Sequence, residues 1–330
     1  MIRLHVIATL AVAASGVAAQ PIQTDFDAQF YLLDSNSGMI ASGSLAMGTV
    51  DSAFDTPIGN NASGLDLLPD GRLVASGNIG STLCIAVIDP ETGATDPILT
   101  NSDVFPGATF LPYFRGVTVA PDGTLYTFLG LATSTSSTHL VHFTHEGEVL
   151  SLVRVQDSGG NDILWHSRAY TVRSDGMIVS VDTALGSLKP PPAEIATIDP
   201  ETGLLEVIAI FDEEDGYCRG LSRIGATAFV NLGDAGDQIY TLDLFSGELE
   251  YVMSITDATG SIPYAFGFAI APDPCPADMT YDDAINIGDI EMFIDRFLEG
   301  STAADLDYSR TNNFDDLDIF IDSFLNGCGD

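Results

Sequence analysis

Two kinds of tight-turn signal alternate along most of this chain, and their spacing leaves few folds open. The first is an apolar residue or Thr, then Asp or other polar residues, then Gly: Leu33-Asp34 to Gly38, Ile88-Asp89 to Gly93, Thr144 to Gly147, Ile198-Asp199 to Gly203, and Leu242-Asp243 to Gly247. Its glycines recur at nearly even intervals. The second series interleaves with it: Pro69-Asp70-Gly71, Pro121-Asp122-Gly123, Ser174-Asp175-Gly176, the degenerate Ile224-Gly225-Ala226, and Pro272-Asp273. Runs rich in Val, Ile, Leu, Tyr and Phe flank each turn, so each reads as a hairpin whose Gly takes the left-handed position. Two hairpins per repeat make four strands per repeat, which is the blade of a β-propeller.

The expected fold is therefore mainly β, a propeller of about five four-stranded blades spanning 20–273. Two irregular stretches, 48–62 and 156–167, are where a sixth blade would sit. The hairpin over 29–46 is expected to begin the domain as an outer pair, and 265–271 to end it as an inner strand. Ends that complete one blade together close the ring and remove free sheet edges. Hairpins reading "APDGTLY" and "IDPETG" resemble extracellular NHL-like or WD40-like repeats, which implies an architecture and leaves function open.

Residues 1–19 read as a secretory signal peptide: Arg3 and His5, an apolar core from Val6 to Ala14, and Val17-Ala18-Ala19 before Gln20. The expected location is extracellular, secreted or associated with the cell surface. No later run approaches the ~18 apolar residues of a membrane span. Net charge is −36, with Lys189 the single lysine. Such a field repels phosphate backbones and anionic membrane faces, which argues against nucleic acid as a partner.

After the propeller region, 274–330 is built by duplication. Ala277-Asp278-Met279 to Leu298 recurs, at an offset that stays constant throughout, as Ala304-Asp305-Leu306 to Leu325. Each copy opens with a 12-residue run of oxygen-bearing side chains that leads into a helical pattern, as a calcium-binding EF-hand loop does. Positions 1, 3, 5, 9 and 12 are Asp278, Thr280, Asp282, Asn286 and Asp289, then Asp305, Asp307, Ser309, Asn313 and Asp316. A hard cation such as Ca²⁺ takes six to eight oxygens, which this alternation supplies. Apolar residues follow at Ile287, Ile290, Phe293, Ile294, Phe297 and Leu298, and again at Phe314, Leu317, Phe320, Ile321, Phe324 and Leu325. They form one helical face per copy, and the two faces are expected to bury each other. Cys275 and Cys328 bracket the pair, and an oxidising compartment favours a clasp disulfide between them. Cys84 and Cys218 lie in different repeats and read as buried thiols.

These residues resemble a dockerin domain, specifically the bacterial GC-type form that opens Cys275-Pro276-Ala277-Asp278, closes Gly327-Cys328 and anchors planctomycete secreted proteins. The resemblance covers about a sixth of the chain. It implies a small all-α module with two EF-hand-like loops that binds calcium and tethers its protein to a cohesin-like partner, in company with polysaccharide breakdown. Two departures stand out. Position 6, where the sharp turn favours Gly, is Asp283 in the first loop and Arg310 in the second. With Ser309 at position 5, the second loop is expected to bind more loosely. Positions 10 and 11, which help choose the partner in that family, are Ile287-Gly288 and Phe314-Asp315.

Within the propeller, His139, His142 and His145 cluster in sequence, but strand alternation puts His142 on the face opposite the other two. Trp165-His166 reads as packing. No GxSxG, HExxH, P-loop or dinucleotide fingerprint is present, and the turn aspartates read as acceptors for local backbone N–H groups. One constellation remains. Arg115-Gly116, Arg168-Ala169 and Arg219-Gly220 each precede an inner-strand pattern, with Ser63-Gly64 and Ala265-Phe266 at the other two equivalent places. A ring should gather the three arginines at one mouth of the channel, where they suit a carboxylate or sulfate, such as those of an acidic polysaccharide. The alternative is that each pairs with a neighbouring carboxylate and holds blades together.

Two functions follow as expectations. The first is a secreted, non-catalytic binding or structural protein, its propeller tethered through the calcium-binding module to a cohesin-like partner. The second is a carbohydrate-active lyase or hydrolase on the same propeller.

Overall fold

The computed structural model describes residues 28–45, 48–104, 113–130, 138–165, 167–182, 194–210, 218–224, 227–232, 238–255, 265–272, 276–277, 279, 285–300, 304, 306 and 311–326. Its β-strands form five four-stranded antiparallel sheets. Four of them are consecutive in sequence: β4–β7 (Ile58–Leu67, Leu73–Ile79, Thr82–Ile88, Thr95–Thr100), β8–β11 (Tyr113–Val119, Leu125–Gly130, Thr138–Phe143, Val149–Arg154), β12–β15 (Ala169–Val172, Ile178–Asp182, Glu194–Ile198, Leu205–Ile210) and β16–β19 (Gly220–Ile224, Thr227–Leu232, Gln238–Leu242, Leu249–Ser254). The remaining sheet joins the two ends of the strand-bearing region. Here β20 (Ala265–Pro272) pairs with β1 (Ala28–Asp34), which pairs with β2 (Met39–Ser44) and then β3 (Thr49–Asp55).

This is a five-bladed β-propeller closed by its own termini. The register from Ala28↔Pro272 to Leu33↔Gly267 supplies the hydrogen bonds that an open ring would leave unmade. The first strand of each blade, β4, β8, β12, β16 or β20, packs against its two counterparts around the axis. Apolar clusters fill the spaces between blades. One joins Phe30 and Phe268 of the closing blade to Phe229 and Ile239 of the β16–β19 blade, and another joins Val74 and Ile85 to Phe114 and Phe143.

Closure differs from the expectation in one respect. The turn pattern predicts an outer pair over 29–46, but β1 and β2 are the second and third strands of their blade. The outermost strand is β3, inside one of the two stretches where a sixth blade would sit. The turn at Gly38 is thus not equivalent to those at Gly93, Gly147, Gly203 and Gly247, each of which joins the two outer strands of its blade. Three strands from the N-terminal side and one from the C-terminal side make the blade, so five is the full number. Among its described residues, the other irregular stretch, 156–167, carries no strand, just the isolated bridges of Gln156 to Asp162 and to Leu204.

The turn aspartates behave as anticipated. Asp89 accepts N–H groups from Glu91 and Thr92 at 2.8 and 3.1 Å, Asp199 from Glu201 at 2.8 Å, and Asp243 from Phe245 and Ser246 at 2.9 and 2.8 Å. Backbone donors from Glu91 and Thr92 hold the Asp89 carboxyl below the usual range. Cys84 and Cys218 are buried free thiols, and burial pushes the Cys218 thiol up to about 12.

Beyond the strands lie two helices, α2 (Ile287–Glu299) and α3 (Phe314–Asn326); a single-turn α1 (Asn101–Val104) follows β7. The helical pair has its own core. Most members have their duplicate in the same core: Ala277 and Ala304, Met279 and Leu306, Ile290 and Leu317, Phe293 and Phe320, Phe297 and Phe324. The rings of Phe293 and Phe320 stack at 4.2 Å with 9° between planes, so the repeat is also a near two-fold arrangement in space.

Candidate functional site: the propeller channel and the helical pair

Inner strands crowd together at the axis, and one repeat position makes this possible. It is held by Gly64, Gly116, Ala169, Gly220 and Gly267. Gly116 has φ +72°, and a Cβ there would lie 2.6 Å from the backbone oxygen of Arg168. A Cβ on Gly64 would lie 2.3 Å from the Cα of Gly116. At Gly64 and Gly116, only glycine permits both the left-handed backbone and the contact between neighbouring strands. The fifth equivalent pair is therefore Phe266-Gly267, one residue on from Ala265-Phe266, because Gly267 is the residue that meets Gly64.

Preceding this position stand Ser63, Arg115, Arg168, Arg219 and Phe266. Arg115 and Arg219 are buried, and Arg168 is half-buried. Burial holds the Arg168 guanidinium below the ordinary arginine range, and the charges of Arg115 and Arg219 push it further that way, against an opposite effect of Tyr113. The ring has thus brought the three arginines of consecutive blades within electrostatic reach of one another. Arg115 lies over the Tyr113 ring, 4.6 Å from its centroid, and donates to the Tyr113 hydroxyl. Its Nε has no hydrogen-bond partner among the described residues. Beneath it, the buried Tyr170 hydroxyl donates to the backbone oxygen of Arg115 at 2.9 Å and receives the N–H of Phe128 at 3.3 Å, fixing the strand that carries the cation.

Two residues beyond the glycine position, a polar layer crosses the axis: Asp66, Thr118, Thr171 and Ser222, with Ala269 as the fifth member, all buried. Asp66 accepts four hydrogen bonds, from Thr118 Oγ1 and Val119 N at 2.8 Å each, Leu67 N at 2.9 Å and Ser222 Oγ at 3.0 Å. One carboxylate thereby ties β4 to β8 and, across the channel, to β16. Burial raises its pKa, and the four donors act in the opposite sense. Reasoning from sequence alone does not single this residue out. The available signal is a polar side chain at one repeat position of strands that are otherwise buried on both faces, where continuous apolar runs are the rule.

Past this layer, where the inner strands end in their turns, a cavity of about 600 Å³ opens. Its polar lining is Gln29, Tyr31, Asp66, Thr171 and Arg223, against walls that include Leu68, Ile224 and Ile270. Since β8 and β16 run from Arg115 and Arg219 toward Val119 and Arg223, the cavity and the arginine cluster occupy opposite mouths. Burial lowers the Arg223 pKa, and the Asp66 charge opposes it.

In the helical pair, Asn286 caps α2, its Oδ1 accepting Gly288 N at 2.8 Å, and Asp289 Oδ2 accepts Asn286 N at 2.7 Å. The same bonds recur at α3: Asn313 Oδ1 with Asp315 N at 2.7 Å and Asp316 Oδ2 with Asn313 N at 2.7 Å. Asp289 and Asp316 are completely shut off from solvent. The apolar stripe of each helix splits. Ile290, Phe293 and Phe297 turn to the core with Leu317, Phe320 and Phe324, while Ile287, Ile294 and Leu298 stay exposed, as do Phe314, Ile321 and Leu325. The two faces thus bury each other along their inner halves, while their outer halves stay exposed. A single partner helix covers only the inner half of so broad a face.

No family model and no curated protein matches the chain. Among solved structures it is similar to a protein of unknown function from Bacteroides caccae, at 14% identity over 69% of this chain and 73% of that one, with TM-score 0.43. It is also similar to a chain of a nidogen/laminin complex, at 11% identity over 75% and 99% with TM-score 0.46, and to a Hadza microbial sialidase, at 10% identity over 68% and 56% with TM-score 0.42. At these values the likenesses carry no argument about chemistry, and the strand order by itself makes the fold a propeller.

The remaining residues singled out from the sequence fall as follows. Asp278, Thr280, Asp282, Asp305, Asp307 and Ser309, the cysteines Cys275 and Cys328, and the signal segment lie outside the described residues. So does His166, whereas Trp165 is a buried packing residue that donates from Nε1 to Ser180 Oγ at 2.8 Å. His139 and His142 sit on β10. His142 stacks on Tyr126 at 4.3 Å and meets Thr124 Oγ1 at 2.8 Å, while His145 lies in the next turn beside Glu146 at 2.8 Å. The three do not share a centre.

Proposed function

We propose that this chain is a secreted, non-catalytic binding protein whose propeller holds an anionic ligand at the arginine mouth and whose helical pair is a dockerin-like, calcium-binding tether for a cohesin-like partner. The observation that carries the ligand reading is the placement of Arg115, Arg168 and Arg219 at one repeat position of the inner strands of consecutive blades, where burial first, and then repulsion from Arg115 and Arg219, lowers the Arg168 pKa. An anion seated among them relieves that repulsion, and guanidinium forks suit carboxylate and sulfate. In a chain of net charge −36, such a local field selects for ligands that the rest of the surface repels. Uronate or sulfate groups of an acidic polysaccharide have the required chemistry.

Support for the tether comes from the duplicated loop exits. Asp289 and Asp316 bring a buried carboxylate to loop position 12, and Asn286 and Asn313 at position 9 cap their helices, where an EF-hand-like loop reaches its ion through water. Bound calcium would supply the positive charge that loops so rich in carboxylates need in order to close. Loop position 10, which the dockerin resemblance associates with partner choice, is Ile287 and Phe314, 73% and 81% exposed. With Ile294, Leu298, Ile321 and Leu325 they offer apolar surface for a partner to cover.

The test is binding of the full chain to an array of uronate-bearing and sulfated glycans. Replacing both Arg115 and Arg168 by Ala is expected to weaken binding by at least 30-fold, about 2 kcal/mol, with the melting temperature as the control for folding. Unchanged binding by a folded double variant would refute the anion site.

A further inference from the structure

We infer that the cavity at the opposite mouth is a second, separate ligand site, and that it takes a small uncharged polyhydroxylated molecule, a sugar ring or a ring-sized polyol. The cavity is built by all five blades: β1 and β20 of the closing blade, the β4–β5 turn, the end of β8 with its turn, β12, and the end of β16. Its volume of about 600 Å³ falls within the ~300 to 1,000 Å³ typical of small-molecule sites. It is formed by the inner ring and so is present before any ligand arrives.

Charge selects the ligand class. Lining the cavity are one carboxylate, Asp66, and one guanidinium, Arg223, with Asp66 close enough for its charge to act on Arg223. An anionic ligand would approach Arg223 at the cost of facing Asp66, and a cationic one meets the reverse. A neutral molecule faces neither penalty. The cavity also offers hydrogen-bonding groups of both kinds: donors on Arg223 and Thr171, an acceptor on Gln29, and the Tyr31 hydroxyl, which donates to Gln29 Oε1 at 3.0 Å. Hydroxyl groups both donate and accept, and so can serve all of them. Leu68, Ile224 and Ile270 supply the apolar wall against which the carbon face of a ring packs. The arginine mouth has the opposite character, with three cations at one repeat position, so the two ends of one channel discriminate by charge.

Titration calorimetry of the full chain with glucose, galactose, mannose, xylose and cellobiose tests this. At least one is expected to bind with a dissociation constant of about 10 mM or tighter. Arg223→Ala and Gln29→Ala should each weaken that binding by at least tenfold, with melting temperatures kept near that of the parent. Arg115→Ala and Arg168→Ala should leave it unchanged, which separates this site from the anion site. Absence of binding by all five sugars at 50 mM overturns the inference, as does binding that survives both cavity variants. If glucuronate binds, loses affinity with Arg115→Ala and ignores Arg223→Ala, while the neutral sugars fail, then the arginine mouth stands and the second site falls.

Discussion

The propeller and the helical pair are both products of duplication, and they are held together in opposite ways. In the propeller, the spacing of the repeats drifts and they share few side chains, yet backbone ladders join all four strands of every blade and β1–β20 pairing closes the ring. In the helical pair the repeat keeps one fixed offset, most core residues have their copy in the same core, and Phe293 stacks on its own copy, Phe320. Its hydrophobic centre is essentially the Phe293–Phe320 stack and its neighbours, while the outer half of each apolar stripe stays in water. Backbone closure tolerates drift because hydrogen bonds are indifferent to side-chain identity. A pair with a small core tolerates little drift, because few apolar contacts hold it together.

The largest effect expected from this contrast is on removal of calcium. With the ion as a folding ligand of the helical pair, chelation should abolish amide protection across 285–326 while leaving the blades protected, as followed by hydrogen exchange. Calorimetric readdition should show one stronger and one weaker site, the weaker at the loop with Arg310 and Ser309. Two equal tight sites would show that these residues do not weaken the second loop, and loss of protection in the blades would break the contrast itself.

Next in size is the axial glycine. Gly116→Val puts a branched side chain on a φ of +72° and a Cβ 2.6 Å from the Arg168 oxygen. It should cost about 3 kcal/mol by denaturant unfolding. Gly123→Ala is the control, at a turn with comparable φ where a Cβ meets only Pro69 Cγ at an ordinary 3.8 Å, and should cost about 1 kcal/mol. Equal costs would mean that close approach of the inner strands is not what the glycine position serves.

The smallest effect belongs to Asp66 and is best seen as a pH dependence. Burial raises its folded-state pKa above the unfolded value, so its contribution to stability is present in full below the unfolded carboxyl pKa and is lost as pH rises through the folded one. Asp66→Asn presents an amide to donors that now have one acceptor too few, at a cost of about 1 to 3 kcal/mol. The gap between the parent and this variant should be widest in acid and narrow toward neutral pH. A gap that widens instead would reverse the sign of the shift.

Much of the propeller is legible in its turn chemistry, because Asp and Gly at hairpin positions have local physical causes: side-chain acceptors for turn N–H groups, and left-handed backbone. The helical repeat, its loop exits and its inner core are likewise local. The arginine cluster is legible for the same reason, since a repeat position becomes a ring position once the fold is a closed ring. Illegible is anything set by which strand becomes the edge. The outermost strand β3 carries a polar-rich sequence, Thr49 to Asp55, because it is solvated and makes few apolar contacts, and it therefore resembles a linker. Asp66 escapes for a related reason: an aspartate in so acidic a chain draws no notice until Thr118, Val119 and Ser222, from 52 to 156 residues away, converge on it.

By itself, then, the sequence determined the repeating units: where the chain turns, which residues face inward, that each repeat makes a four-stranded blade, and that two matched loop sequences lead into two matched helices. These depend on interactions within a few residues or on periodicity, and both are written in the order of the chain. Tertiary structure decided how the ends share a blade, which half of each helical stripe stays exposed, and that a single channel is cationic at one mouth and charge-balanced at the other. Those outcomes depend on residues that only folding brings together.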